Sequence, residues 1–131
     1  MELSDDQRAT LSALVETLVP PENHPAGTTV AVRATLDARL AGDLVGEVEV
    51  LGRWLDALHM EALSVFSSGF VELHAPIRDE LLDRIEAGNF RIDWRLEEAG
   101  VTPEGYLDRV LGWVMEAFEG ATAPDGARPS S

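Results

Sequence analysis

The sequence contains no cysteine and no lysine. Without cysteine there is no disulfide, no thiolate metal site and no thiol nucleophile, so the fold has to rest on packing. The absence of lysine excludes Schiff-base chemistry, a Walker-type phosphate loop and every mechanism that needs an amine nucleophile. Long apolar runs are missing too: none approaches the roughly 18–20 residues that span a bilayer. The start, Met1-Glu2-Leu3-Ser4-Asp5-Asp6, is acidic and leads straight into a helix pattern, whereas a secretory signal opens with positive charge and an apolar stretch. As written, the chain reads as cytoplasmic, and an extracytoplasmic location is expected only if a signal was removed or a partner carries it.

What the chain does have is acid. Twenty-four aspartates and glutamates face ten basic residues, all arginine, for a net charge of −14. A field of that sign repels phosphate backbones and anionic lipid headgroups, which argues against nucleic acid or a membrane surface as partner. Apolar residues at 45% and charged residues at 26% are close to globular averages, so the body of the chain should fold around one core.

Hydrophobic spacing predicts an all-α, single-domain bundle of about five helices over residues 1–120. Ser4 with Gln7 is a capping-box pattern, followed by Leu11, Leu14, Val15 and Leu18, and Pro20-Pro21 stops that helix. Thr28 or Thr29 is placed to cap a second helix with Val32, Leu36 and Leu40 on one face and Gly42 as the stop. From about Gly46 a longer stripe runs through Leu51, Trp54, Leu55, Leu58, Ala62 and Phe66 and ends near Ser67-Ser68-Gly69. Pro76 opens a fourth helix with Ile77, Leu81, Leu82 and Ile85, closed by Gly88. Asp93 is placed to cap a brief helical segment through Ala99 and Gly100. Thr102 and Pro103 start the last helix, with Leu107, Val110, Leu111, Val114 and Phe118, and Gly120 as its stop. Residues 121–131 are too poor in apolar side chains to offset the entropy of ordering and read as a disordered tail. No stretch alternates with period two between hairpin turns, so no strand is expected.

The chemical inventory is thin, with no catalytic, cofactor-binding or metal-ligating residue assigned. Asp56 and His59 lie at i, i+3, which resembles half of a bundle metal site, but the second pair and the extra carboxylates such a site needs are missing. Glu72 and His74 flank Leu73 in a turn, His24 lies between prolines, and all three read as structural or solvated. No Gly-x-Ser-x-Gly elbow surrounds any of the seven serines, and the glycines form no phosphate-binding cluster. Aromatic side chains are the remaining signal, because they are enriched at protein contacts. Trp54 falls on the apolar stripe and belongs to the core. Phe90 and Trp94 lie in a short, Arg- and Asp-interrupted stretch where core and surface are equally compatible; with Phe70 they are the candidate partner-binding residues.

Leu11-x-x-Leu-Val-Glu-Thr-Leu-Val-Pro20, Pro25-Ala26-Gly27 ahead of the second helix, and Phe70-x-x-Leu73 followed by Arg78-x-x-Leu81-Leu82 together resemble the gluconate 2-dehydrogenase subunit 3 family, over roughly residues 3–90. The resemblance implies a small non-catalytic subunit that binds, stabilises and helps mature a large flavin-dependent sugar or polyol dehydrogenase of the glucose-methanol-choline oxidoreductase class. FAD would then belong to the partner, with no cofactor in this chain. A multihaem cytochrome subunit accepts electrons in several such systems, and the small subunit often bears a twin-arginine export signal, which is absent ahead of Glu2. The patterned last helix also departs from the aromatic- and proline-rich segment with which the family commonly ends. The competing reading is a free-standing acidic interaction or regulatory module that binds a basic protein surface. A small enzyme built on Asp56 and His59 is the third.

Overall fold

The computed structural model describes residues 2–20, 24, 25 and 27–122. Ser4 caps the first helix, α1 (Asp5–Leu18): its hydroxyl accepts the Gln7 N–H at 3.1 Å, and the Gln7 side-chain oxygen accepts the Ser4 N–H at 2.8 Å. The Gln7 amide group also donates to Asp56 at 3.0 Å, which ties the start of α1 to α3 (Val48–Phe66). It crosses Gly52 to do so, where a β-carbon would lie 2.9 Å from the Gln7 nitrogen. Pro20 follows the end of α1, as its missing N–H requires. Pro21 and Ala26 lie outside the described residues.

The second helix, α2 (Thr28–Leu40), is capped by Gly27 and not by either threonine. Gly27 has φ +87°, a left-handed backbone that only glycine adopts without steric penalty. Thr28 is buried within the helix, and the Thr29 hydroxyl donates instead to the Val19 carbonyl at 2.8 Å, fastening α2 to the end of α1. Val32, Leu36 and Leu40 are buried as their spacing predicts. The stop comes just before Gly42, with Ala41 as the C-cap.

A short 3-10 turn, Val45–Glu47, feeds α3, which closes on Ser67 in a left-handed conformation. Gly69 is required for a different reason: the His59 ring packs so closely on it that a β-carbon would lie 2.3 Å from Cε1. The fourth helix, α4 (Ala75–Glu86), has Pro76 in its first turn and Gly88 beyond its end at φ +79°. Its Leu81, Leu82 and Ile85 are buried, whereas Ile77 is only half-buried.

No helix starts at Asp93. Its carboxylate accepts the Arg95 N–H at 2.9 Å, a local turn that competes with helix, and only a 3-10 turn forms at Glu97–Ala99. The last helix, α5 (Pro103–Thr122), starts where the Thr102 hydroxyl accepts the Gly105 N–H at 3.0 Å. It continues two residues past Gly120, into the stretch expected to be tail; residues 123–131 lie outside the described ones.

The result is all-α, with no strand among the described residues. Helix α2 lies along α5, α1 against α3, and α4 against α5, around one apolar cluster fed by all five helices. Arg39 joins α2 to α5 through Glu116 at 3.1 Å while also holding Asp43. Among the described residues no helix is long and apolar enough to cross a membrane.

Candidate functional site

Two of the segments that carry the family resemblance, the first helix and the stretch from Phe70 to Leu82, meet in space. A 3-10 turn, Phe70–Glu72, connects α3 to α4, and Phe70 is completely buried in it. The Arg78 guanidinium, on the first turns of α4, donates to the carbonyls of Phe70 at 3.1 Å, Val71 at 2.7 Å and Ala13 at 3.4 Å. Its charge also lies 5.5 Å over the Phe70 ring. One planar fork with several donors can hold three carbonyls at once, which an ammonium on a flexible stem does less well. Arg78 therefore locks α1, the Phe70 turn and α4 together.

A second polar anchor escaped the reading of the sequence. Glu61 on α3 is fully buried among Leu58, Ala62 and Trp54, and it accepts three N–H groups from the loop after α4. Oε2 takes the Arg91 amide at 2.7 Å, while Oε1 takes the Ile92 amide at 3.2 Å and the Trp94 indole at 3.0 Å. Burying a carboxylate is expensive unless its oxygens are hydrogen-bonded, and three donors meet that need without a cation. The position was legible: Glu61 follows Leu58 by three residues and Trp54 by seven, which puts it on the apolar stripe and not between its members.

Glu61 decides where Trp94 goes. Of the two environments its sequence allows, Trp94 takes the core, 6% exposed, packed 5.8 Å from Trp54 and 5.9 Å from the half-buried Phe90, centroid to centroid. Phe70 and Trp94 thus present little side-chain surface to a partner; what they contribute to the outside is the shape of the backbone above them.

Between α3 and this loop runs an open groove of about 630 Å³. Ala57, Met60, Ile92 and Trp94 give it an apolar lining, and its charged members balance, Arg53 and Arg95 against Asp56 and Asp93. Met60 is a large apolar side chain left 52% exposed. Arg95 holds φ +54°, an uncommon conformation for a residue with a side chain, and it is kept there by the Asp93 turn and the Glu61 anchor on either side of Trp94.

The histidines and their neighbours do not converge. Asp56 is engaged by Gln7, His59 packs on Gly69, His74 is exposed at the start of α4, and His24 meets Phe118 edge-on at 5.1 Å. Among the described residues no three histidine or carboxylate side chains are grouped to hold a metal ion.

Tyr106 supplies a pH-dependent probe of the packing at the base of α5. It is buried, its hydroxyl donates to Glu47 at 3.1 Å, and burial first, then the charge and hydrogen bond of Glu47, push its ionisation above the usual tyrosine range. A raised folded-state value means stability that is fully present below the unfolded value of about 10 and is lost as pH climbs beyond it. Tyr106 is the only tyrosine, so the ultraviolet tyrosinate band reads it alone. We expect no tyrosinate near the ordinary tyrosine range until the chain unfolds at higher pH, and an earlier onset in Glu47→Gln. Ionisation of the folded protein at the ordinary value would show that Tyr106 is not packed this way.

A family model described as Gluconate 2-dehydrogenase subunit 3 matches residues 5–120. The match runs through α5, so the last helix, which had looked like a departure from the family, falls within it. No curated protein and no solved structure matches the chain.

Proposed function

Because the chain belongs to the gluconate 2-dehydrogenase subunit 3 family, we propose that it works as a non-catalytic accessory subunit, which binds, stabilises and helps mature a large FAD-dependent sugar or polyol dehydrogenase of the glucose-methanol-choline class. The observation that carries this reading is the match itself, which spans all five helices. FAD belongs to the large subunit in this proposal, and a cytochrome subunit is the natural electron acceptor of such a complex. The side chains described above support it as well, since their hydrogen bonds and rings are spent on holding helices together.

The physical action needs no chemistry from this chain. A subunit that binds the folded large subunit, and not its unfolded chain, raises the stability of the folded form by mass action, about 2.7 kcal/mol when present at a hundred times its Kd. Holding the partner folded also keeps its flavin site available for loading. The test is affinity purification of the tagged chain from its native cells, with mass spectrometry and an absorbance scan. A stoichiometric large flavoprotein, whose soluble and flavin-loaded fraction falls when this chain is withheld, is the expected result. A colourless, solitary protein would overturn the reading. A complex with a basic, flavin-free protein that dissolves as salt rises would favour the acidic regulatory module, given the net charge of −14.

A further inference from the structure

The loop after α4 is tied to the bundle by hydrogen bonds to a single side chain. Among the described residues, 90–95 make no backbone–backbone hydrogen bond. The last one before them joins the Asn89 amide to the Arg84 carbonyl at 2.9 Å, and they resume at the Leu96 carbonyl, which accepts the Ala99 amide at 3.1 Å. Between those points every hydrogen bond to the rest of the chain ends on Glu61, from the amides of Arg91 and Ile92 and the indole of Trp94. The Arg95 amide bonds only within the loop, to Asp93.

The charged groups on the elements about Glu61 are engaged elsewhere or leave it alone. On α3 itself Asp56 holds Gln7, and His59 packs on Gly69. On α1 Glu16 pairs with Arg78; on α5 Glu104 lies beside Gly88, and Tyr106 gives its hydroxyl to Glu47. None of these, and no side chain of Arg84, Arg91 or Arg95, forms an ion pair or hydrogen bond with the Glu61 oxygens. Its negative charge is answered by N–H groups alone.

An ionised carboxylate only accepts, whereas a protonated one carries an O–H donor. A proton on Oε2 sets that donor against the Arg91 amide, and a proton on Oε1 sets it against the Ile92 amide and the Trp94 indole. Either way the charge that strengthens the remaining bonds is gone. We propose that Glu61 is a proton-operated latch: ionised, it holds the loop on α3, and protonated, it lets residues 90–95 detach while the helices stay packed. The loop and the proton compete for the same two oxygens, so the stability the latch adds is present while Glu61 is ionised and is lost as pH falls. Release also relieves the left-handed backbone of Arg95. It uncovers Trp94 and frees Phe90, rings of the kind that protein contacts favour, so acid changes the surface the chain offers to a partner.

The experiment follows the isotope-labelled full chain by nuclear magnetic resonance as pH is lowered from neutrality. The side-chain carboxyl carbon of Glu61 reads the proton, the Arg91 and Ile92 amides with the Trp94 indole read the loop, and the amides of α3 and α5 read the bundle. We expect the loop signals to move in step with the Glu61 carboxyl while the helical amides stay protected. Exchange of the loop amides, corrected for its intrinsic pH dependence, should accelerate by up to about tenfold per pH unit, the slope of one linked proton. In Glu61→Gln, which cannot take up that proton, the loop should exchange faster than in the parent at neutral pH and show no such slope. Asp93→Asn and His59→Gln, which remove other titratable groups of the same two elements, should keep it. Titration of Glu61 with the loop signals unmoved overturns the proposal, as does loss of loop and helices together. So does a slope that persists in Glu61→Gln or disappears in Asp93→Asn or His59→Gln. Should Glu61→Gln fail to fold, the correspondence between carboxyl and loop signals in the parent chain decides alone.

Discussion

Replacing Glu61 by alanine should remove about 2–4 kcal/mol of stability, because the buried indole of Trp94 and two part-buried amides lose their acceptor, and each orphaned donor costs about 1–3 kcal/mol, less than additively and least where water can reach it. The donors are the amides of Arg91 and Ile92 and the indole of Trp94, so the damage should be local before it is global. Hydrogen exchange is expected to accelerate first at residues 91–94, with the denaturant midpoint falling while the slope of the transition is kept. Glu61→Leu fills the space but still strands the donors, and should be nearly as harmful as alanine. Glu61→Gln keeps one acceptor oxygen while turning an NH2 group toward other donors, and should fall between. A loss under about 1 kcal/mol for the alanine and leucine variants would mean that water or a rearranged loop satisfies these groups, and that Glu61 is not the anchor described here.

Trp54→Ala should be the other severe change, at about 3–5 kcal/mol, the range for deleting a buried tryptophan. Trp54 has no exposed surface, packs against Trp94 on one side and 6.1 Å from Tyr106 on the other, and donates its indole N–H to the Pro103 carbonyl at 3.1 Å. It is the point where α3, the pinned loop and the start of α5 meet. Trp54→Phe keeps a ring there and loses mainly the hydrogen bond and some volume, for about 1–2 kcal/mol. Unfolding in denaturant, with far-ultraviolet dichroism as the probe, separates the two. An alanine variant within about 1 kcal/mol of the parent would require the core to collapse around the hole, and the three elements to be held together by something else.

The two sites are coupled through Trp94, which hydrogen-bonds one and packs on the other. Their effects should therefore not add: the double variant Glu61→Ala/Trp54→Ala is expected to lose less than the sum of the singles, because either one already releases the loop.

The same residues mark where the sequence could be read and where it could not. Capping boxes, proline positions and apolar spacing report on forces that act within one helix, over three to seven residues. They placed Ser4 and Gln7, the face of α2, the stripe of α3, and the beginning of α5 with little error. The family resemblance was local as well, carried by short segments whose order along the chain is conveyed by the sequence itself. The errors follow the same logic. Thr28 and Thr29 looked like caps because their chemistry suits one, but the left-handed turn that Gly27 permits took that place and freed Thr29 to reach across to Val19.

Residues 89–96 have no period at all, and their conformation is set by an acceptor some thirty positions earlier in the chain. Nothing local tells an aromatic such as Trp94 whether a carboxylate waits for its N–H, so core and surface were equally compatible until the helices packed. Composition and spacing alone determined an acidic helical bundle, its helix boundaries to within a few residues, and the exclusion of lysine and cysteine chemistry. Only the tertiary structure decided that Glu61 and Arg78 serve as internal anchors and that Trp94 is interior. Those outcomes depend on groups distant in sequence being brought within about 3 Å, where a hydrogen bond forms or fails, and no short-range pattern encodes that distance.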